Sequence, residues 1–483
     1  MLIWFKSAWP WLLGAVNLAA AAAATVHAVL WKRDSRAVIG WVGLIWLAPI
    51  AGALAYFCFG VNRIQRKAVS LRLQEAWTHR HEIRLRRSDL KHLDRLEHAY
   101  PNLVGLVNLG QRLTGLPVLP GNRVRPLVNG DETYPAMLRA IGEARHSVSL
   151  SSYIFDNDPV GTMFIDALSA ARQRGVAVRV LIDHVGSRYS RPSMVHRMKR
   201  AGIRVAAFLP SRVPPFVRYA NLRSHRKILV VDGRTGFTGG TNIREGHWLG
   251  RNPKYPVQCL HFRVEGPVVA HMQEAFAVDW AFADGESLRG EEWFPDLAPV
   301  GPVFARGIPD GPDEDFETLL DTMLGALSTA TVRADIVTPY FLPDAALIHA
   351  LNTAALRGVR VDIILPSRNN LPPIQWASTA QFWQLLEKGC RIYLTPPPFD
   401  HSKLMVVDGV WSLIGSTNWD PRSLRLNFEY NIECYDETLG ARLEAIVESK
   451  RAAAHEVTLA EVDGRPMPIR LRDGLARLLM PYL

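Results

Sequence analysis

The chain has 483 residues, of which 48% are hydrophobic and 21% charged, which excludes a wholly disordered protein or a collagen and suggests about three domains. Its four scattered cysteines (Cys58, Cys259, Cys390 and Cys434) form no CxxC pair, which argues against a disulfide framework and a zinc ribbon. The formal net charge of +10 favours an anionic partner, either nucleic acid or an acidic membrane surface.

The chain opens with two stretches that lack Asp, Glu, Lys and Arg, at residues 7–31 and 37–62. Each exceeds the roughly 20 residues that a helix needs to cross a bilayer. Since only five residues separate them, the sequence predicts a transmembrane hairpin over residues 1–62, with helices at about 8–31 and 37–61 and a kink at Pro49. A cleaved signal peptide fits poorly, because the first stretch is long and a second follows at once. A pair of buried core helices is also disfavoured, because each stretch exceeds 20 residues without a charged side chain.

Residues 63–110 are predicted to form a basic juxtamembrane linker. The basic residues at its start are Arg63, Arg66, Lys67, Arg72, Arg80, Arg84, Arg86 and Arg87. In membrane proteins the larger basic cluster lies on the cytoplasmic side. We therefore expect the rest of the chain to face the cytoplasm, beside anionic lipid. A solvated basic helix without a lipid role is the alternative.

The polar part of the chain contains two copies of one pattern, at residues 148–183 and 332–365. Each copy has an apolar strand, a tyrosine-containing turn, an amphipathic helix, an Arg-Gly-Val sequence and a β-branched strand. Gly175 and Gly358 stand where a helix C-cap is expected. This alternation predicts α/β lobes with largely buried sheets.

Each copy is followed by the pattern HxKxxxxD, at residues 225–232 and 401–408, and then by Gly-(Gly/Ser)-Thr-Asn. Residues i and i+2 of a strand share a face, so the histidine and lysine of each motif project together. The returning strand is expected to bring an asparagine beside them. Two lobes meeting about a pseudo-twofold axis would form one site, containing His225, Lys227, Asn242, His401, Lys403 and Asn418.

This residue set suits phosphoryl transfer. Lysines and amides hold phosphate oxygens, one imidazole attacks phosphorus, and the other protonates the leaving alkoxide. We expect no metal or other cofactor, because the lysines supply the positive charge. Asp232 and Asp408 fit two roles, as turn residues and as catalytic groups, and are counted with the catalytic residues.

At these residues the chain resembles the phospholipase D superfamily with its paired HKD motifs, over about residues 108–448. The hairpin, Thr338-Pro339-Tyr340-Phe341 and residues 427–431 make it similar to the bacterial cardiolipin synthase family. The resemblance implies an α/β fold with two pseudo-symmetric phospholipase D-like lobes, whose mixed sheets are flanked by helices. The first lobe is expected at 111–300 and the second at 301–483, including a C-terminal amphipathic segment.

The resemblance also implies a reaction: a phosphatidyl group passes from one phosphatidylglycerol to another through a phosphatidyl-histidine, giving cardiolipin and glycerol. His225 then matches the nucleophile and His401 the general acid/base. The residues that match the phosphate clamp are Lys227, Lys403, Asn242, Asn418 and, as an additional contact, Ser416. Glu429 matches the carboxylate that orients a motif histidine. Where the family often has an acidic residue this chain has Cys259, which leaves the partner of His225 open.

Three other functions remain as alternatives. A membrane-bound phospholipase D would hydrolyse phospholipids or transfer the phosphatidyl group to another alcohol with the same residues. A nuclease-like phosphodiesterase is disfavoured by the hairpin and by the scarcity of aromatics among the basic residues. An inert membrane scaffold is disfavoured by two intact HxK pairs.

The expected partners are anionic phospholipids, namely phosphatidylglycerol and cardiolipin, with no nucleic acid and with the oligomeric state open. The expected location is the bacterial inner membrane, as a multi-pass protein. Near the C-terminus, arginines alternate with apolar residues over 469–480, which suits either an interfacial amphipathic helix or a helix packed on the lobe.

Overall fold

A computed structural model describes residues 2–32, 35–57, 96–209, 222–312 and 317–478. They fall into two compact units, one made of the N-terminal helices up to residue 57 and the other of the described residues from 96 onward. The basic cluster predicted at residues 63–87 lies outside the described residues.

The first unit contains α1 (Leu2–Trp31), α2 (Ser35–Leu47) and α3 (Pro49–Ala55). Within the described residues, only Trp11–Trp31 is a helix long and apolar enough to cross a membrane. The predicted second helix is interrupted before Pro49, because proline lacks the N–H that would continue the helix. The later helices pack on α1 through Trp46 Nε1, which donates to Thr25 at 3.1 Å. The end of the predicted second helix, residues 58–61, lies outside the described residues.

The first half of the second unit contains the following elements: α4 (Val104–Thr114), β1 (Leu119–Val128), α5 (Asn129–Glu143), β2 (Ser147–Ser152), α6 (Pro159–Gln173), β3 (Ala177–Asp183), α7 (Met194–Arg200), β4 (Arg204–Phe208), β5 (Arg223–Ser224), β6 (Ile228–Val231), β7 (Thr235–Gly239), β8 (Val257–Gln258), β9 (Leu260–Glu265) and α8 (Val269–Asp284).

The second half repeats this order: β10 (Val303–Asp310), α9 (Thr318–Thr329), β11 (Arg333–Val337), α10 (Ala345–Leu356), β12 (Arg360–Pro366), α11 (Pro372–Thr379), α12 (Phe382–Leu386), β13 (Arg391–Thr395), β14 (Phe399–Asp400), β15 (Leu404–Val407), β16 (Trp411–Gly415), α13 (Pro421–Arg425), β17 (Asn427–Tyr435), α14 (Glu437–Ala452), β18 (His455–Val457), α15 (Leu459–Asp463) and α16 (Met467–Leu478).

The strands of both halves form one continuous mixed sheet, except for β8 and β14, which pair with each other. Its order is β18-β13-β12-β11-β15-β16-β17-β10-β1-β9-β7-β6-β2-β3-β4, and β5 pairs with β17. The order on either side of the antiparallel β10–β1 pair is mirrored, with parallel strands β2, β3 and β4 matching β11, β12 and β13. This arrangement confirms the α/β fold with two related lobes. The lobe boundary near residue 301 falls between α8 and β10 and stays a prediction.

Equivalent helices α6 and α10 show how the repeat folds. Asp158 and Asp344 cap them, since each carboxylate accepts a backbone N–H of the first turn. Gly175 and Gly358 follow the helix ends with φ angles of +89° and +92°, as the sequence predicts for C-caps. The faces turned to the core contain Val160, Phe164, Ile165, Leu168 and Ala171 in α6, and Leu347, Ile348, Leu351 and Ala354 in α10. Both helices therefore cover the sheet in the same way.

Candidate active site

Short strands carry each motif histidine to the opposite lobe. Strand β5, just before His225, pairs in parallel with the start of β17, and the His225 N–H donates to Phe428 O at 2.9 Å. Strand β14, just before His401, pairs with β8, and the His401 N–H donates to Gln258 O at 2.8 Å. Each histidine is thus held by the lobe that does not contain it, which brings the two half-sites together.

The lysines lie beside their histidines and are buried. Lys227 Nζ donates to His225 O, and Lys403 Nζ donates to His401 O, each at 2.8 Å. Burial and, to a smaller extent, the charge of Lys403 lower the pKa of Lys227 to about 7, although Glu429 opposes the shift. Burial also lowers the pKa of Lys403 to about 8. Two buried lysines, one of which lowers the pKa of the other, create a site that an anion would stabilise.

His225 is paired with a carboxylate of the second lobe. Its Nδ1 lies 2.9 and 3.0 Å from the two oxygens of Glu429, which is completely buried. Burial raises the pKa of Glu429, but the contributions of His225, Lys227 and Ser416 outweigh it and bring the pKa below its usual value. Burial lowers the pKa of His225 to about 4, against the opposing effect of Glu429. A neutral His225 therefore donates Nδ1–H to the carboxylate, and the lone pair of its Nε2 is available.

His401 has a neutral partner instead. Its Nδ1 lies 3.0 Å from Gly240 O, and because a carbonyl can only accept, the hydrogen is on Nδ1 here too. Burial lowers the pKa of His401 well below its usual value, and the charge of Lys403 lowers it further. Lys227, from the other half-site, acts on the pKa of His401 in the same direction.

Cys259 corresponds to Glu429, since it follows the Gln258 carbonyl that holds His401, as Glu429 follows the Phe428 carbonyl that holds His225. Its Sγ lies 3.5 Å from His401 O. The inference that Cys259 leaves the partner of His225 open is therefore wrong, because the thiol belongs to the His401 half.

Ser416 contacts the carboxylate of Glu429. Its hydroxyl donates to Glu429 Oε2 at 2.5 Å and accepts the Tyr430 N–H at 3.1 Å, and the residue is completely buried. Its part as an additional phosphate contact stays a prediction. The equivalent residue is Gly240, where a Cβ would lie 2.7 Å from both Cys259 Sγ and His401 O. Each half-site therefore has its own combination of residues: Ser416 lies beside Glu429, and Gly240 lies beside Cys259.

Both motif asparagines lie buried beside the motifs. Asn242 Oδ1 accepts the Ile154 N–H at 3.3 Å, which orients its amide N–H groups away from that contact. Asn418 Nδ2 donates to Ser423 Oγ at 3.0 Å, which leaves one N–H of that amide. Their part in a phosphate clamp stays a prediction.

Asp232 and Asp408 are separated from the histidines by strands β6 and β15. Asp232 accepts the N–H groups of residues 145–147, and Asp408 accepts those of residues 331–333. Both adopt a φ of +52° in the turn that joins the strands of a hairpin. The contacts therefore favour the first of the two predicted roles, that of a turn residue: each carboxylate ties a hairpin turn to the start of a central strand, and a catalytic role stays a prediction.

Tyr153, Tyr340 and His247 are among the aromatic residues near the histidines that were not predicted as site residues. The ring of Tyr153 lies 5.1 Å from that of His225, and the ring of Tyr340 lies 6.2 Å from that of His401. His247 is buried with its ring 6.0 Å from that of His401. The matching tyrosine in both repeats was the available signal for the first two. His247 has no counterpart in the second repeat, so the sequence contains no such signal for it.

Comparisons with known proteins indicate the family of the chain. A family model described as cardiolipin synthase, PLD-like domain, matches residues 137–280 and 323–451, and one described as phospholipase D-nuclease N-terminal matches residues 19–60. The chain is 32% identical to the major cardiolipin synthase ClsA of Bacillus subtilis over 94% of this chain and 95% of that protein. It is 35% identical to cardiolipin synthase A of Pseudomonas fluorescens (strain SBW25) over 95% of both chains.

Among solved structures, a phosphatidylserine synthase of Haemophilus influenzae matches with a TM-score of 0.63 and 16% identity, over 78% of this chain and 100% of that one. At this identity the likeness concerns the fold alone, and it is the fold of two related lobes described above. The full-length similarity and the paired motifs lead to one conclusion: the chain belongs to the family of cardiolipin synthases with phospholipase D-like domains.

Proposed function

We propose that this protein is a phosphatidyltransferase that makes cardiolipin and glycerol from two molecules of phosphatidylglycerol. The observation that carries the proposal is the pairing of two buried histidine–lysine half-sites, each held by the opposite lobe. A phosphodiester has one anionic group for two lysines to neutralise, and in an in-line displacement the attacking atom and the leaving oxygen lie on opposite sides of phosphorus. That symmetry suits one substrate phosphate between two half-sites.

In the first step, His225 Nε2 attacks phosphorus and forms a P–N bond, while the P–O bond to the departing glycerol breaks. His401 Nε2 gives its proton to the glycerol oxygen. His401 has a depressed pKa in the free protein, mainly from burial. A bound phosphate anion offsets the positive charge of Lys227 and Lys403, and so raises the pKa of His401 towards the range in which it can act as an acid.

In the second step, a hydroxyl of the other phosphatidylglycerol attacks the phosphatidyl-histidine. His401 Nε2, now neutral, accepts the hydroxyl proton, the new P–O bond forms, and the P–N bond to His225 breaks. The product is cardiolipin, and both histidines return to their starting states. Water in place of the hydroxyl would give phosphatidic acid.

The unequal partners of the histidines support His225 as the nucleophile. A phosphorylated imidazole carries positive charge, which the ionised Glu429 stabilises through Nδ1. His401 must take up and lose a proton within each cycle. Its neutral partner, the Gly240 carbonyl, leaves its pKa responsive to the charge of the substrate. A carboxylate in that position would hold His401 in the protonated form.

We further propose that the protein is a multi-pass protein of the bacterial inner membrane, with both lobes on the cytoplasmic side and anionic phospholipids as partners. Helix α1 supports a membrane anchor, with an apolar span at Trp11–Trp31. The basic residues that follow the predicted hairpin support the orientation.

The test is to incubate the purified full-length protein in vesicles with phosphatidylglycerol labelled in its acyl chains and in its free glycerol. We expect labelled cardiolipin and free glycerol in equal amounts from the wild type, and neither from His401→Ala. Phosphatidic acid as the main product would indicate a hydrolase instead. No lipid product from the wild type would reject the proposal.

A further inference from the structure

Helix α16 presents an apolar stripe to solvent. Met467, Leu471, Leu475 and Leu478 recur at spacings of four, four and three residues, so they share a face of roughly 80°. Their exposed fractions are 72%, 61%, 55% and 69%. The opposite side of the helix is the one that packs on the lobe, through the buried residues Asp473 and Ala476. The leucines therefore contribute nothing to the core, although an exposed row of this kind costs solubility.

Arginines border the stripe on both sides. Arg472 lies on one flank and stacks on the ring of Trp376 at 4.4 Å. Arg470 and Arg477 lie on the other flank, in a cleft of about 400 Å³ that the exposed Trp383 also lines. Within the described part of the chain, neither of these two arginines forms an ion pair with a carboxylate. An apolar stripe between guanidinium groups is the pattern of a helix that lies in the interface of an anionic bilayer.

The helix lies on the active-site side of the second lobe. Ala476 packs in a small cluster with Ile374 and Ala377, against which Tyr340 is also packed. The ring of Tyr340 lies 6.2 Å from that of His401. The buried face of α16 is thus linked to His401 through this cluster and Tyr340, with the helix itself between them and the exposed stripe.

We propose that α16 is a second membrane contact, separate from the N-terminal helices, which docks the catalytic lobes onto an anionic lipid surface. The leucine stripe enters the boundary between headgroups and acyl chains, and Arg470 and Arg477 bind lipid phosphates. The docking brings the side of the second lobe that α16 covers, and with it the His401 half of the site, close to the headgroups. The link to catalysis depends on the proposed function, whereas the docking itself does not.

The test places a fluorescent label in the full-length protein, in vesicles that contain lipids with a quencher at the top of the acyl chain. The label is attached at Leu471→Cys or, as a matched control, at Leu356→Cys. Leu356 is similarly exposed (70%). It precedes β12 and so lies at the amino ends of the parallel strands β11 and β12, whereas Tyr340 follows β11 and lies at their carboxyl ends. Both variants carry Cys58→Ser, because the other three cysteines are buried and do not compete for the label.

We expect quenching at position 471 to exceed that at position 356 at least threefold in vesicles rich in phosphatidylglycerol. Arg470→Gln with Arg477→Gln should shift the docking equilibrium of α16 by roughly thirty-fold towards the undocked state. Equal quenching at both positions would overturn the proposal. So would quenching at 471 that is unchanged by the arginine variants or by replacing the anionic lipid with phosphatidylcholine. Since quenching needs no turnover, a docked protein that makes no cardiolipin would reject the proposed function alone.

Discussion

Replacing Glu429 by glutamine removes one negative charge and keeps the shape of the side chain. In the structure the carboxylate is completely buried and accepts from His225 Nδ1 at 2.9 Å and Ser416 Oγ at 2.5 Å. A hydrogen bond to a charged group contributes about 1.5–3 kcal/mol. If that stabilisation is made in the transition state, kcat falls by roughly 10- to 150-fold.

The pH profile separates a positioning role from a general loss of folding. Burial lowers the pKa of His225 to about 4, and Glu429 opposes that shift. Without the carboxylate the pKa of His225 falls further, so the acid limb of kcat/KM moves to lower pH in Glu429→Gln. The assay is initial-rate cardiolipin formation from labelled phosphatidylglycerol from about pH 3, below the His225 pKa, to about pH 9. The matched control is Cys259→Ser at the equivalent place beside His401, which we expect to change kcat by less than about threefold. Wild-type kcat in Glu429→Gln, an equal loss in Cys259→Ser, or an acid limb displaced upward would each refute the reasoning.

Three further predictions follow from the site and its supporting residues. His225→Ala and His401→Ala should both abolish turnover, but rapid quenching with labelled lipid should detect a covalent intermediate only in variants that retain His225; an intermediate in His225→Ala would contradict its role as nucleophile. Lys227→Ala or Lys403→Ala should raise the barrier by about 2.7–4 kcal/mol. Because burial lowers the lysine pKa values to about 7 and 8, kcat/KM of the wild type should fall as pH rises through this range, and a flat profile up to pH 9 would argue against a charged clamp. Asp408→Asn should reduce the free energy of unfolding by about 1.5–3 kcal/mol through its lost charge, with unchanged kcat per folded molecule, as measured by denaturation and by active-site titration; a large fall in kcat at full stability would restore a chemical role for Asp408.

The sequence was sufficient for the fold and for the central residues because both occur twice. A repeated strand–helix–strand pattern with matching glycines predicts equivalent α/β lobes, and a repeated histidine–lysine pair identifies the site. It was insufficient where residues act across the lobes. Pairing of β5 with β17 decides that Glu429 serves His225, and only that pairing places Cys259 with His401. Asp232 and Asp408 are part of the same motif as the histidines, yet strand length carries them away from the chemistry.

Because β5 and β14 each pair with a strand of the opposite lobe, neither half of the polypeptide contains a complete set of catalytic contacts. A fragment that ends between the lobes would keep its nucleophile but lose the carboxylate that steadies it, and the complementary fragment would keep the carboxylate without the nucleophile. Activity then requires both repeats together, and a substitution at these contacts in one repeat is tolerated only if the contacting residue in the other repeat changes too.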